Sequence, residues 1–178
     1  MGRLSTSDRL QMTIGELNAL DQASFVEALG WVFEGSPWVA ERTWFAGPFE
    51  NVEALYSAMV DQLARAKYEE QLALLRAHPD LGTHARISRA STGEQAGAGL
   101  DQLTPHEFKR LQQLTSAYRN KFGFPFMFAV KGSTKHDILG VLEKRLGASP
   151  EEEYQEALRQ VHRIARFRLQ ETIQEGTS

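Results

Sequence analysis

Apolar residues recur along this chain at intervals of three and four, the spacing of α-helices that turn one face inward. Thr13-Ile14-Gly15-Glu16 has the spacing of a capping box and predicts a first helix start. After Asp21, the stripe Phe25, Val26, Ala28, Leu29, Val32 and Phe33 predicts a second helix that runs through Phe33. Ser36-Pro37 opens a short helix carrying Trp38 and Trp44, which Gly47-Pro48 ends. From Asn51, the stripe Val52, Leu55, Tyr56, Met59, Val60 and Leu63 predicts a long helix. The next bears Leu72, Leu74 and Leu75 and stops at His78-Pro79, because proline pushes the preceding residue out of helical geometry. Residues 79–103 are rich in Gly, Ser and Thr and read as a loop with one short helix inside.

Thr104-Pro105-His106-Glu107 is a second capping box, opening a helix with the stripe Phe108, Leu111, Leu114, Tyr118 and Phe122. Ser133 is the expected cap of a helix bearing Ile138, Leu139, Leu142 and Leu146, closed by Gly147. Ser149-Pro150 begins a final helix reaching about Gln174. There is no strand-like alternation and no internal repeat. The pattern predicts an all-α, single-domain helical bundle of about seven to nine helices over residues 13–174. Residues 1–12 read as a loose leader and 175–178 as a tail.

Composition narrows the chemistry. The 178 residues suit one domain, and 42% hydrophobic with 24% charged residues is ordinary for a globular protein. With no cysteine, disulfides, thiolate catalysis and cysteine-bound zinc are excluded. A net charge of -3 gives no global attraction to nucleic acid. No apolar run reaches membrane-spanning length and no signal-peptide core follows Met1, so the expected compartment is the cytoplasm.

Four groups stand out. His78 offers an imidazole that gives and takes protons near neutrality, although taken alone its place at a helix end favours a histidine that bonds the last carbonyls. Its spacing from His84, His106, His136 and His162 is not that of a metal site. Ser91-Thr92-Gly93-Glu94 is a capping box by spacing, yet a helix start beside Glu94 and Gln95 also suits a substrate with carboxylate and ureido groups. In Phe122-Gly123-Phe124-Pro125-Phe126-Met127-Phe128-Ala129, Gly123 and Pro125 disfavour helix. This stretch is a buried connection whose backbone groups lack helical partners, which a ligand could satisfy. Arg168 shares an inward stripe with Tyr154, Ala157, Leu158, Val161, Ile164, Ala165 and Thr172, and needs an anionic partner, internal or bound. Arg159, Arg163 and Arg166 fall on other faces.

Taken in order, Ser36-Pro37-Trp38-Val39-Ala40-Glu41-Arg42, Pro48-Phe49, His78-Pro79-Asp80-Leu81-Gly82, Ser91-x-x-Glu94-Gln95-x-x-Ala98-Gly99-Leu100, Phe122-Gly123-Phe124-Pro125-Phe126 and Arg163-Ile164-Ala165-Arg166-Phe167-Arg168-Leu169 resemble the 2-oxo-4-hydroxy-4-carboxy-5-ureidoimidazoline (OHCU) decarboxylase family. The resemblance extends over about residues 13–173. It implies an all-helical, cofactor-free enzyme of urate degradation, usually a homodimer, converting OHCU to (S)-allantoin and CO2. It also implies that a urate oxidase domain is fused or associated in some members. Residue by residue, His78 matches the catalytic histidine, and Pro79 shapes its surroundings. Ser91, Glu94 and Gln95 match substrate-contacting positions, Glu94 as a second catalytic group. Phe126, Met127, Phe128, Ala129 and Val130 match a segment whose backbone contacts the substrate. Arg168 matches the site arginine; Arg163 is the alternative alignment, and the inward stripe favours Arg168. Two departures stand out: a shorter loop between His78 and Ser91, and Met127-Phe128-Ala129-Val130 where Ile and Cys are associated with other members.

Two rival readings come from other classes. His-Pro-Asp is also the tripeptide of J-domain co-chaperones, but the preceding helix, Lys67 to Arg76, lacks the dense basic face such docking needs. A nucleic-acid module using the arginines of the last helix is opposed by the acidic balance and by Glu171 and Glu175.

Overall fold

The computed structural model describes residues 11–82 and 89–174, with the side chains of 89–92 left out; the leader up to residue 10, His84 and the 175–178 tail lie outside the described residues. Among the described residues there are nine helices and one pair of two-residue strands, so the fold is all-α as the periodicity predicts. No helix among them is long and apolar enough to cross a membrane. The fold divides into two compact units: the described parts of Met1–Gln71 with His162–Ser178, and Leu72–Val161.

In the first unit, α1 (Ile14–Asn18), α2 (Gln22–Leu29), α3 (Trp38–Trp44) and α4 (Val52–Arg65) follow one another. Thr13, Asp21 and Asn51 cap α1, α2 and α4, each accepting a backbone N–H three residues on. The predicted stripes supply the core: Phe25, Leu29, Leu55, Met59 and Leu63 are buried. Asn18 grips Phe49 from both sides, its amide donating to Phe49 O and accepting Phe49 N–H, each at 2.8 Å. The expectation of helix through Phe33 fails at Gly30, which closes α2. Val32 and Phe33 are buried nonetheless, from a turn, because burial does not require the helix to continue. The expectation of no strands is also corrected: β1 (Met12–Thr13) pairs in parallel with β2 (Ile173–Gln174). Met12 is therefore part of the fold, and the last helix stops at Thr172 rather than Gln174. Two-residue strands are too short to show alternation.

The second unit contains most of α5 (Tyr68–Arg76), then α6 (Arg89–Gly97), α7 (Pro105–Phe122), α8 (Lys135–Arg145) and the first half of α9 (Pro150–Thr172). Thr104 and Glu107 form the predicted reciprocal capping box, and Gly123, at φ 81°, ends α7 in the left-handed conformation that glycine adopts without strain. Ser149 and Glu152 bond reciprocally at the start of α9. At α8 the cap is Thr134 and not Ser133, since Thr134 has Asp137 three residues on to complete a capping box. Leu111, Leu114, Tyr118, Phe124, Phe126, Ile138, Leu142, Ala157 and Val161 form this unit's core.

Candidate active site

His78 lies just past the end of α5, where the chain leaves helical geometry before Pro79. Its ring is buried, and Nδ1 is 3.0 Å from Leu74 O. A carbonyl oxygen only accepts, so Nδ1 carries the hydrogen and Nε2 of the neutral ring carries the lone pair. The bond to a carbonyl of its own helix, one of the two readings of this residue, is thus present, and it fixes the ring's tautomer.

The turn that follows is built around Gly82. Its φ of 74° is left-handed, and a Cβ there would stand 2.6 Å from Leu111 Cδ2. Only glycine lets the turn sit this close to α7. With that approach, Gly82 N–H donates to Gln95 Oε1 at 2.9 Å, tying α6 to the loop after His78. Asp80 in the same turn pairs with Arg119 of α7 at 3.2 Å. Gln95 is buried, and Glu94 beside it is half-buried. Ser91 lies in the first turn of α6, and its side chain is outside the described residues.

The aromatic segment joins the same unit. Arg76, two residues before His78, donates to Gly123 O at 2.9 Å. Phe124, Phe126, Met127, Ala129 and Val130 are buried and Phe128 is half-buried. Phe126 stacks on Phe128 with ring centroids 6.0 Å apart. Arg145 of α8 donates to Met127 O at 2.6 Å, and Gln160 of α9 accepts Ala129 N–H at 3.0 Å. Beneath them Glu153 pairs with Arg145 and accepts from Tyr118, whose phenol is pushed up first by burial and then by that bond.

Arg168 belongs to the other unit. It is only 1% exposed, as its stripe predicts, whereas Arg163 is exposed. Its guanidinium meets Glu34 Oε2 at 3.0 Å and donates to Trp31 O at 2.9 Å. The anionic partner left open by the sequence is thus internal at least in part. Glu34 was not singled out from the sequence, nor were Arg145, Gln160 and Gln95's link to Gly82. Glu34 sits two residues before Ser36 of the Ser36-Pro37 motif, and no pattern marks a single buried carboxylate.

A cleft of about 500 Å³ lies beside the turn, lined among others by Asp80, Leu81, Gly82, Phe108 and Leu111; His78, Glu94, Gln95 and the 126–130 segment do not line it. Among the described residues no three His, Asp or Glu side chains converge as metal ligands.

A buried histidine at a helix end, followed by a turn that Gln95 holds through Gly82, stands on an all-helical scaffold. The model of the OHCU decarboxylase family matches residues 18–170, and the chain belongs to that family. It is 45% identical over 161 residues to the 2-oxo-4-hydroxy-4-carboxy-5-ureidoimidazoline decarboxylase of Halalkalicoccus jeotgali, covering 90% of this chain and 92% of that protein. It is 41% identical over 165 residues to the uric acid degradation bifunctional protein of Bacillus sp. strain TB-90, covering 93% of this chain but 33% of that protein. The crystal structure of an (S)-allantoin synthase superposes with a TM-score of 0.76 at 34% identity, covering 91% of this chain and 54% of that one. His78-Pro79-Asp80 is accounted for by this family rather than by a co-chaperone.

Proposed function

We propose that this protein decarboxylates OHCU to (S)-allantoin and CO2 in urate degradation, with His78 as the acid/base group. The observation that carries this reading is the buried His78 ring, oriented by its Nδ1 bond to Leu74 O, in a chain of this family. His78 acts at the 4-hydroxyl or a ring nitrogen as the carboxylate departs. The bond to the carboxyl carbon breaks and its electron pair passes into the adjacent C=N and ring system. One proton then adds to carbon on one face, giving a single enantiomer. Glu94, with Gln95 and Ser91, orients the ureido and ring amides, and Pro79 shapes the wall beside His78. The backbone of Phe126 to Val130 contacts the substrate, and Arg168 holds an anionic oxygen. Positioning and a preorganised field supply most of the acceleration.

The same proposal takes residues 13–174 as the functional domain, a homodimer as the assembly and the cytoplasm as its place. A urate oxidase domain, fused or associated, would supply the precursor, in keeping with the bifunctional relative from Bacillus. The test is to generate OHCU enzymatically, add the protein, and follow both its decay and the optical activity of the allantoin. Accelerated decay to one enantiomer supports the reading, while unchanged decay to racemic product from folded protein overturns it. Because α6 begins at Arg89, Ser91 and Glu94 lie inside it and the capping box their spacing suggested does not form. Glu94→Gln therefore tests the second role, with turnover falling more than stability if Glu94 acts on substrate and both falling equally if it serves only the fold.

A further inference from the structure

Arg145 and Gln160 lie outside every motif, yet they capture the two consecutive peptide units that flank Phe128. Arg145 Nη1 donates to Met127 O at 2.6 Å while its guanidinium lies 4.5 Å from the centre of the Phe126 ring. Gln160 Oε1 accepts Ala129 N–H at 3.0 Å. Each is itself anchored by a carboxylate: Arg145 Nε donates to Glu153 at 2.7 Å, and Gln160 Nε2 donates to Glu156 at 2.8 Å. Val130 O accepts Ser133 N–H, which closes the segment.

These peptide bonds are trans, so the C=O and N–H of each unit point in opposite directions. With Met127 C=O turned to Arg145, the N–H of Phe128 is directed away from Arg145. With Ala129 N–H turned to Gln160, the C=O of Phe128 is directed away from Gln160. Phe128 thus presents one donor and one acceptor from a single residue, and neither has a partner among the described residues. An adjacent donor and acceptor complement the C=O and N–H of a ureido or cyclic amide group.

We infer that Arg145 and Gln160 are positioning residues that set the Phe128 main-chain pair as the reader of the substrate's ureido or ring-amide group. The inference rests on the decarboxylase reading. It makes specificity depend on two side chains that touch no substrate, and leaves Phe128's own side chain replaceable by another of similar size.

Gln160→Leu removes the acceptor at nearly constant volume. The expected result is a KM for OHCU raised about tenfold with kcat within about threefold, the pattern of lost binding common to ground and transition states. The double variant E156Q/Q160E exchanges donor and acceptor while keeping an acceptor for Ala129 N–H, and it should restore KM to within about threefold of the parent. An unchanged KM in Gln160→Leu, whatever its melting temperature, assigns the bond to the fold alone and overturns the inference. A second measurement needs no variant: titrating ¹⁵N-labelled parent protein with (S)-allantoin should shift the Phe128 amide and leave Ala129's nearly in place. The reverse order overturns the inference. Parent protein that does not turn over OHCU sinks the decarboxylase reading instead, and that result is separate from either outcome for Phe128.

Discussion

His78 Nδ1 stands 3.0 Å from the carbonyl oxygen of Leu74, one helical turn earlier. The neutral ring should accordingly be protonated on Nδ1, which ¹⁵N chemical shifts of the imidazole nitrogens will read directly. His78→Asn keeps a donor for Leu74 O and removes the base. It should lower turnover by about 10²–10⁴-fold while the melting temperature moves little. A large loss of stability with retained turnover per folded molecule would reduce His78 to a helix terminus.

Gly82 should tolerate no side chain. Gly82→Ala combines a left-handed φ of 74° with a contact of 2.6 Å to Leu111, and a loss of about 2 kcal/mol in denaturant unfolding is expected. Leu111→Ala in the same chain relieves the contact but not the backbone strain. The double variant should therefore lose less than the two single losses added together.

Glu34 and Arg168 form a buried pair, 9% and 1% exposed at their side chains. Glu34→Ala leaves the guanidinium without its carboxylate and should cost about 3–5 kcal/mol. Replacing both by methionine removes the buried charges together and should recover much of that loss. If Arg168 also binds substrate, the stable double variant still loses about 100-fold or more in turnover. Retained turnover would make the arginine purely structural.

Glu107 is held down to about 2, first by the hydrogen bond from Lys135 and next by its capping bond to Thr104. A carboxylate with a depressed folded-state value stabilises the fold fully above its ordinary value near 4.5, and that contribution fades as pH falls toward 2. Lys135→Met should raise the Glu107 midpoint toward 4.5 in carboxyl NMR titrations and move the acid loss of stability to higher pH.

The agreement between sequence and structure is clearest where the cause is local. Thr13, Asp21, Asn51 and Thr104 cap the helices they precede, because a cap needs only a side-chain oxygen and an N–H a few residues on. The stripe on α9 correctly turns Arg168 inward and Arg163 outward, since helical period alone decides which residues share a face. Where two local signals compete, as at Ser133 and Thr134, the choice goes to the residue with Asp137 at the right distance.

Helix content, helix order, the caps of α1 and α7, the inward face of α9 and the family were within reach of the sequence, because period, capping chemistry and motif order are properties of short stretches. Tertiary structure decided what those stretches meet. It paired Met12 with Ile173, set Glu34 against Arg168, laid Gly82 on Leu111 and within reach of Gln95, and turned Arg145 and Gln160 toward the backbone of Met127 and Ala129. Such contacts join residues far apart in the chain, and each is selected by close packing and by the cost of leaving a buried polar group unbonded, terms that no single segment carries.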